Sequence, residues 1–105
     1  MVEFRESDRN DGGCVVWVEG EFDLAGVDEF LTMALACLGR ADAIEIDLKG
    51  VSFIDSSGLG ALLRVRKEAT HQGKTMSLMN VSPATNRLLE ITGLHHAFDI
   101  TPDQA

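Results

Sequence analysis

The spacing of apolar residues changes several times along the chain, and each change predicts an element. Val2 to Glu6 alternates weakly, as an edge strand does. Ser7 to Gly13 is dense in turn formers and predicts the connection to the next strand. Cys14-Val15-Val16-Trp17-Val18 is an unbroken β-branched and aromatic run, suited to a buried central strand with Trp17 in the core. Gly20-Glu21-Phe22-Asp23 then leads into a helix. Val27, Phe30, Leu31, Ala34, Leu35 and Leu38 recur at helical spacing and make one apolar stripe, with Gly39 as its stop.

Ile44, Ile46 and Leu48 alternate with Glu45 and Asp47, a strand with one wetter face, and Val51 to Ile54 runs on to Asp55. A second helix is predicted from about Ser57 to His71, with Leu59, Leu62, Leu63, Val65 and Ala69 inward. Arg66 falls inside that stripe and must either snorkel or pair. Gly73 closes a turn before a strand from Thr75 to Asn80, carried by Met76 and Leu78. Ser82-Pro83 is a cap followed by proline at the first helical position, and Ala84, Leu88 and Ile91 form that helix's stripe. Gly93-Leu94 is a stop signal. Ala97 to Ile100 predicts a last short strand, and Thr101 to Ala105 a frayed tail.

The order β-β-α-β-α-β-α-β implies an α/β fold of one domain over residues 1–105, with a mixed, mostly parallel sheet and helices mainly on one face. The bulk properties narrow the function. Nine basic against 17 acidic side chains give a net charge of −8, which disfavours phosphate backbones and hence direct nucleic-acid binding. No apolar run approaches the roughly 18 residues of a membrane span, and the N-terminus lacks the basic-then-apolar order of a signal peptide. A cytoplasmic protein is expected. In that compartment Cys14 and Cys37, in separate elements, read as two buried free thiols. His71, His95 and His96 have no cysteine or acidic partner at ligand spacing, so neither a metal nor a cofactor is expected.

In a parallel sheet the functional crevice lies beyond the carboxyl ends of the strands. Asp55-Ser56-Ser57-Gly58-Leu59-Gly60 occupies such a place, passing directly from strand to helix. Its two hydroxyls meet the free N–H groups and positive dipole end of a helix, where an added anion is favoured. Gly58 and Gly60 each cost about 1 kcal/mol against alanine in a helix. They serve either close approach by another molecule or tight packing on the sheet. Asp55 or Ser56 is the cap. The segment lacks the lysine of a phosphate-binding loop and the G-x-S-x-G of a hydrolase elbow.

Ile46-Asp47-Leu48 through Phe53-Ile54-Asp55-Ser56-Ser57-Gly58-Leu59-Gly60 resembles the signature of STAS domains of the anti-sigma factor antagonist family. Gly20-Glu21-Phe22-Asp23, Gly73-Lys74-Thr75-Met76 and Ser82-Pro83-Ala84 with Leu88 to Leu94 agree in order, so the resemblance covers most of Val15 to Ile100. It implies a regulatory binding protein rather than an enzyme. The unphosphorylated form would bind an anti-sigma factor that is also a serine kinase, freeing a sigma factor; a serine phosphatase would reset it. Carried over, Ser56 is the phosphoacceptor. Asp23, Asp55, Ser57, Gly58, Leu59 and Gly60 would belong to the contact surface. The sequence stops soon after Ile100, where family members often carry a further helix, so the C-terminal part of that surface is left open.

The resemblance also admits a STAS subunit of a stress-sensing assembly or of a lipid-transport ABC complex. The D-S-S-G-L-G core favours the antagonist. A catalytic Ser56 would need a base in reach, and no His-Asp pair is arranged for it.

Overall fold

A computed structural model describes residues 1–101; the rest of the predicted frayed tail lies outside the described residues. Five strands, β1 (Val2–Asp8), β2 (Gly13–Phe22), β3 (Ala43–Ile54), β4 (Thr75–Met79) and β5 (Asp99–Ile100), form one sheet in the order β1-β2-β3-β4-β5. β1 runs antiparallel to β2, and every other pair is parallel. The helices are α1 (Val27–Arg40), α2 (Ser56–His71) and α3 (Pro83–Thr92). The expected mixed α/β architecture is what forms.

Alternation along the strands assigns the faces. Cys14, Val16 and Val18 of β2, Ile44, Ile46 and Leu48 of β3, and Met76 and Leu78 of β4 are buried and point to one side. There α1 contributes Phe30, Leu31, Ala34, Cys37 and Leu38, and α2 contributes Leu59, Leu62, Val65 and Ala69. Phe4, Phe22 and Phe30 meet with ring centroids 5.0–5.7 Å apart, which fixes the end of β2 just before Asp23. The opposite face is wetter. Trp17 lies there half-buried, not in the core as expected, with the Arg5 guanidinium 5.5 Å from its ring centroid.

The lengths of β3 and β4 decide where the site falls. β4 pairs only with Ala43 to Asp47, so the second half of β3 continues beside β2 alone. α3 packs along that free edge and forms a groove with Ser52, Phe53 and Ile54. Asp47, buried at the branch, accepts from the Lys49 N–H and the Asn80 side-chain amide, both at 2.9 Å. This ties β3 to the turn that starts α3.

Four expectations need correction. Gly39 does not stop α1, which continues to Arg40; that residue's ion pairs to Glu6 and Asp8 hold the last turn against β1. Leu35 is 38% exposed and Cys37 takes its inward place. In α3 the buried positions are Thr85 and Leu89, whereas Leu88 is half-buried and Ile91 is 74% exposed. The Thr85 hydroxyl pairs with that of the capping Ser82 at 3.1 Å, which turns this face inward. Finally, Cys14 and Cys37 are joined as a disulfide rather than free. The start of β2 and the last turn of α1 bring their Cα atoms to 6.1 Å, within bonding reach. Arg66 is exposed.

Candidate functional site

Phe22 and Ile54 are register partners, so β2 and β3 end side by side. Both strands break in the same way. Asp23 and Asp55 are extended, with φ near −117° and −113°, and each caps the helical segment after it. Asp23 accepts from the Ala25 N–H at 3.1 Å, opening a short 3-10 turn, Leu24–Gly26. Asp55 accepts from Ser57 and Gly58 N–H groups at 2.9 and 3.1 Å. Its own N–H donates to the Phe22 carbonyl at 3.4 Å, which stitches the two strand ends together.

Asp55 is therefore the cap, and α2 starts one residue earlier than the periodicity predicts. Capping satisfies donors that a helix start leaves open. It also leaves Ser56 at the first helical position with an exposed side chain, while Ser57 is half-buried. Among the hydrogen bonds of the described residues, none engages either hydroxyl. Exposure separates the two serines.

The glycines divide between the two roles left open by the sequence. A Cβ on Gly58 would lie 2.6 Å from the Phe22 carbonyl oxygen and 3.0 Å from Ile54 Cγ1. Gly58 is thus required for α2 to seat on the strand ends. A Cβ on Gly60 would meet nothing within 4 Å, and that surface is open to an approaching molecule. Leu59 is 3% exposed and belongs to the core. Of the residues expected at a contact surface, Asp23, Asp55, Ser57 and Gly60 retain some exposure around Ser56, whereas Gly58 and Leu59 position them from beneath.

Gly58→Ala should cost about 1–3 kcal/mol through overpacking, whereas Gly60→Ala should be neutral or stabilising by up to about 1 kcal/mol. Paired urea melts check this. Equal effects at both positions would contradict the assignment.

Two exposed apolar residues flank the strand ends and were not foreseen. Leu24, next to Asp23, is 72% exposed, and Phe53, two residues before Asp55, is 48% exposed. Phe53 stands on the rim of the groove of about 530 Å3 that Leu88, Arg87 and Ile91 of α3 complete. Its signal in the sequence was the apolar run Val51 to Ile54, which cannot bury both faces of a strand that lacks a neighbour. The mixed charges of α2 (Arg64, Lys67, Glu68) lie elsewhere, along a separate groove with α1. His95 Nε2 lies 3.3 Å from the Asn86 side-chain oxygen.

The comparisons with known proteins bear on the family and the fold. The family model described as "Mlab, STAS domain" matches residues 6–102. The anti-sigma-B factor antagonist of Bacillus subtilis is 31% identical over 93 residues, covering 89% of this chain and 85% of that protein. The anti-sigma F factor antagonist of Paenibacillus polymyxa is 32% identical over 99 residues, covering 92% and 82%. Among solved structures, an anti-sigma factor antagonist from Mycobacterium paratuberculosis superposes with a TM-score of 0.84 at 27% identity, covering 98% of this chain and 87% of that one.

Proposed function

From the premise that the chain belongs to the STAS-domain family of anti-sigma factor antagonists, we propose that it antagonises an anti-sigma factor in the cytoplasm and is switched off at Ser56. In its unphosphorylated form it binds an anti-sigma factor that carries serine kinase activity and thereby frees a sigma factor. Phosphate on Ser56 ends that binding, and a serine phosphatase restores it. The observation that carries the reading is the placement of Ser56: an exposed hydroxyl at the first position of α2, where β2 and β3 end together between two capping aspartates. No helix among the described residues is long and apolar enough to cross a membrane.

The contact surface follows from exposure. Leu24 and Phe53 supply apolar anchors, Ser57 and Gly60 the approach to the backbone, and Asp23 and Asp55 the negative rim. Anchors of this kind carry most of the energy of an interface, while rim charges steer encounter. Antagonist relatives at 31–32% identity favour this reading over a subunit of a stress-sensing or lipid-transport assembly.

A competition assay tests the reading. Added to a preformed complex of the cognate anti-sigma factor with its sigma factor, the unphosphorylated protein should release the sigma factor in proportion to its concentration. An intact complex at saturating protein, beside a proven active anti-sigma factor, would overturn the reading.

A further inference from the structure

At the far end of the sheet from Ser56, the start of β2 and the last turn of α1 enclose a group of side chains that the switch does not use. The Cys14 and Cys37 sulfurs are fully buried and lie in bonding contact. Directly over them sits an ion pair at the surface: the Arg40 guanidinium is 3.5 Å from the Cys37 sulfur and 3.8 Å from the Cys14 sulfur. The same guanidinium reaches Glu6 at 2.8 Å and Asp8 at 3.0 Å. Hydrogen bonds to Glu6 and then Asp8 push Arg40 above its ordinary range, so it stays charged. Glu6 Oε2 also lies 2.9 Å from the Cys37 sulfur.

A disulfide between structural elements is out of place in a reducing compartment, where such bonds, when they occur, are mostly transient and serve catalysis or redox sensing. We propose that Cys14 and Cys37 form a reversible dithiol–disulfide centre that responds to small hydroperoxides. This rests on the cytoplasmic reading above. The surroundings divide the roles. A fixed positive charge beside a sulfur favours the thiolate, which is the attacking species. Cys37 has the nearer guanidinium, 3.5 Å against 3.8 Å, so it attacks; Cys14 resolves.

Cys37 gives up its proton to water, and its thiolate attacks one peroxide oxygen. The O–O bond breaks, and the departing hydroxide takes the proton to leave as water. The resulting sulfenic acid is attacked by the Cys14 sulfur; the S–S bond forms, and the sulfenic oxygen leaves with the Cys14 proton as a second water. Two thiols are oxidised by two electrons, and one peroxide is reduced to two waters. A dithiol reverses the change by thiol–disulfide exchange. The side chains that lie over the buried sulfurs, Arg40 and Glu6, are themselves 39% and 36% accessible, so a small oxidant needs only their displacement to reach Cys37.

The test uses the full chain after reduction by dithiothreitol and desalting. Titration in denaturant should find both thiols. One equivalent of hydrogen peroxide should then remove both, lower the intact mass by two hydrogens and yield a linked Cys14–Cys37 peptide, all reversed by dithiothreitol. Arg40→Ala should slow the loss roughly tenfold, as expected when the charge favouring the thiolate is removed, with an unchanged circular dichroism spectrum. Arg40→Lys should recover part of the rate. Thiols that survive peroxide beside a reactive free-thiol control, oxidation of one cysteine to sulfinic acid without a bond, or Arg40→Ala reacting at the native rate would overturn the proposal. So would stoichiometric zinc retained through desalting that protects both thiols, since that would make Glu6, Cys14 and Cys37 a metal site. The assay contains no anti-sigma factor, so its failure and that of the switch are distinguishable.

Discussion

Phosphate on Ser56 should lower affinity for the anti-sigma factor by about a hundredfold or more while the fold stays intact. The phosphate adds about −1.5 to −2 charges at neutral pH. In the free protein it stands at an exposed helix start, whose dipole tolerates an anion. In the complex it would be buried between two molecules beside Asp23 and Asp55, with the Ser57 and Gly58 N–H groups of α2 already bonded to Asp55. A buried, unpaired charge at an interface costs about 2–5 kcal/mol, and each 1.4 kcal/mol is about tenfold. Ser56→Asp should reproduce only part of the loss, since one carboxylate has less charge and bulk. Calorimetric titration of the two forms would show it; affinities within about threefold of each other would contradict the account.

The second large effect concerns the core. Leu62→Ala and Leu89→Ala should each destabilise by about 2–5 kcal/mol, the range for a buried leucine replaced where the surroundings only partly collapse. Both side chains are fully buried. Leu88→Ala, at a half-buried position, should cost less than half of what Leu89→Ala does. Urea melts with unchanged slopes decide the matter. If Leu88→Ala proved the costlier of the two, α3 would be rotated from the orientation described here.

That pair of leucines shows where the sequence was legible and where it was not. Apolar spacing found the face of α2 because Leu59, Leu62, Val65 and Ala69 are apolar and buried, while Arg66, which falls in the stripe by angle, is exposed. In α3 the inward face contains Thr85, whose hydroxyl is satisfied by Ser82, and a polar residue buried in this way does not register in an apolar stripe. Hydropathy therefore selected Ala84, Leu88 and Ile91. The same limit applies to Trp17: an unbroken apolar run cannot say which side of a sheet its helices cover, and here the indole lies on the uncovered side under Arg5.

At the site, residue types revealed the strand-to-helix passage but not the division of labour within it. Two candidate caps stood in a row, and only backbone geometry distinguishes Asp55, which bonds two N–H groups, from Ser56, which bonds none. Two glycines of the same type have opposite reasons, one facing the Phe22 carbonyl and the other open space. The cysteine pairing depends on the approach of two elements distant in sequence, which local pattern does not encode.

The central claim is that Ser56, and not Ser57, carries the switch. The most direct test incubates wild-type, Ser56→Ala and Ser57→Ala proteins with the cognate anti-sigma kinase and ATP, followed by mass spectrometry of the peptide from Gly50 to Arg64. The wild type should carry one phosphate on Ser56, Ser57→Ala one on Ser56, and Ser56→Ala none, while Ser56→Ala should still bind the anti-sigma factor. Phosphate on Ser57 in the wild type, or an unmodified wild-type chain beside a kinase shown to be active, would contradict the claim.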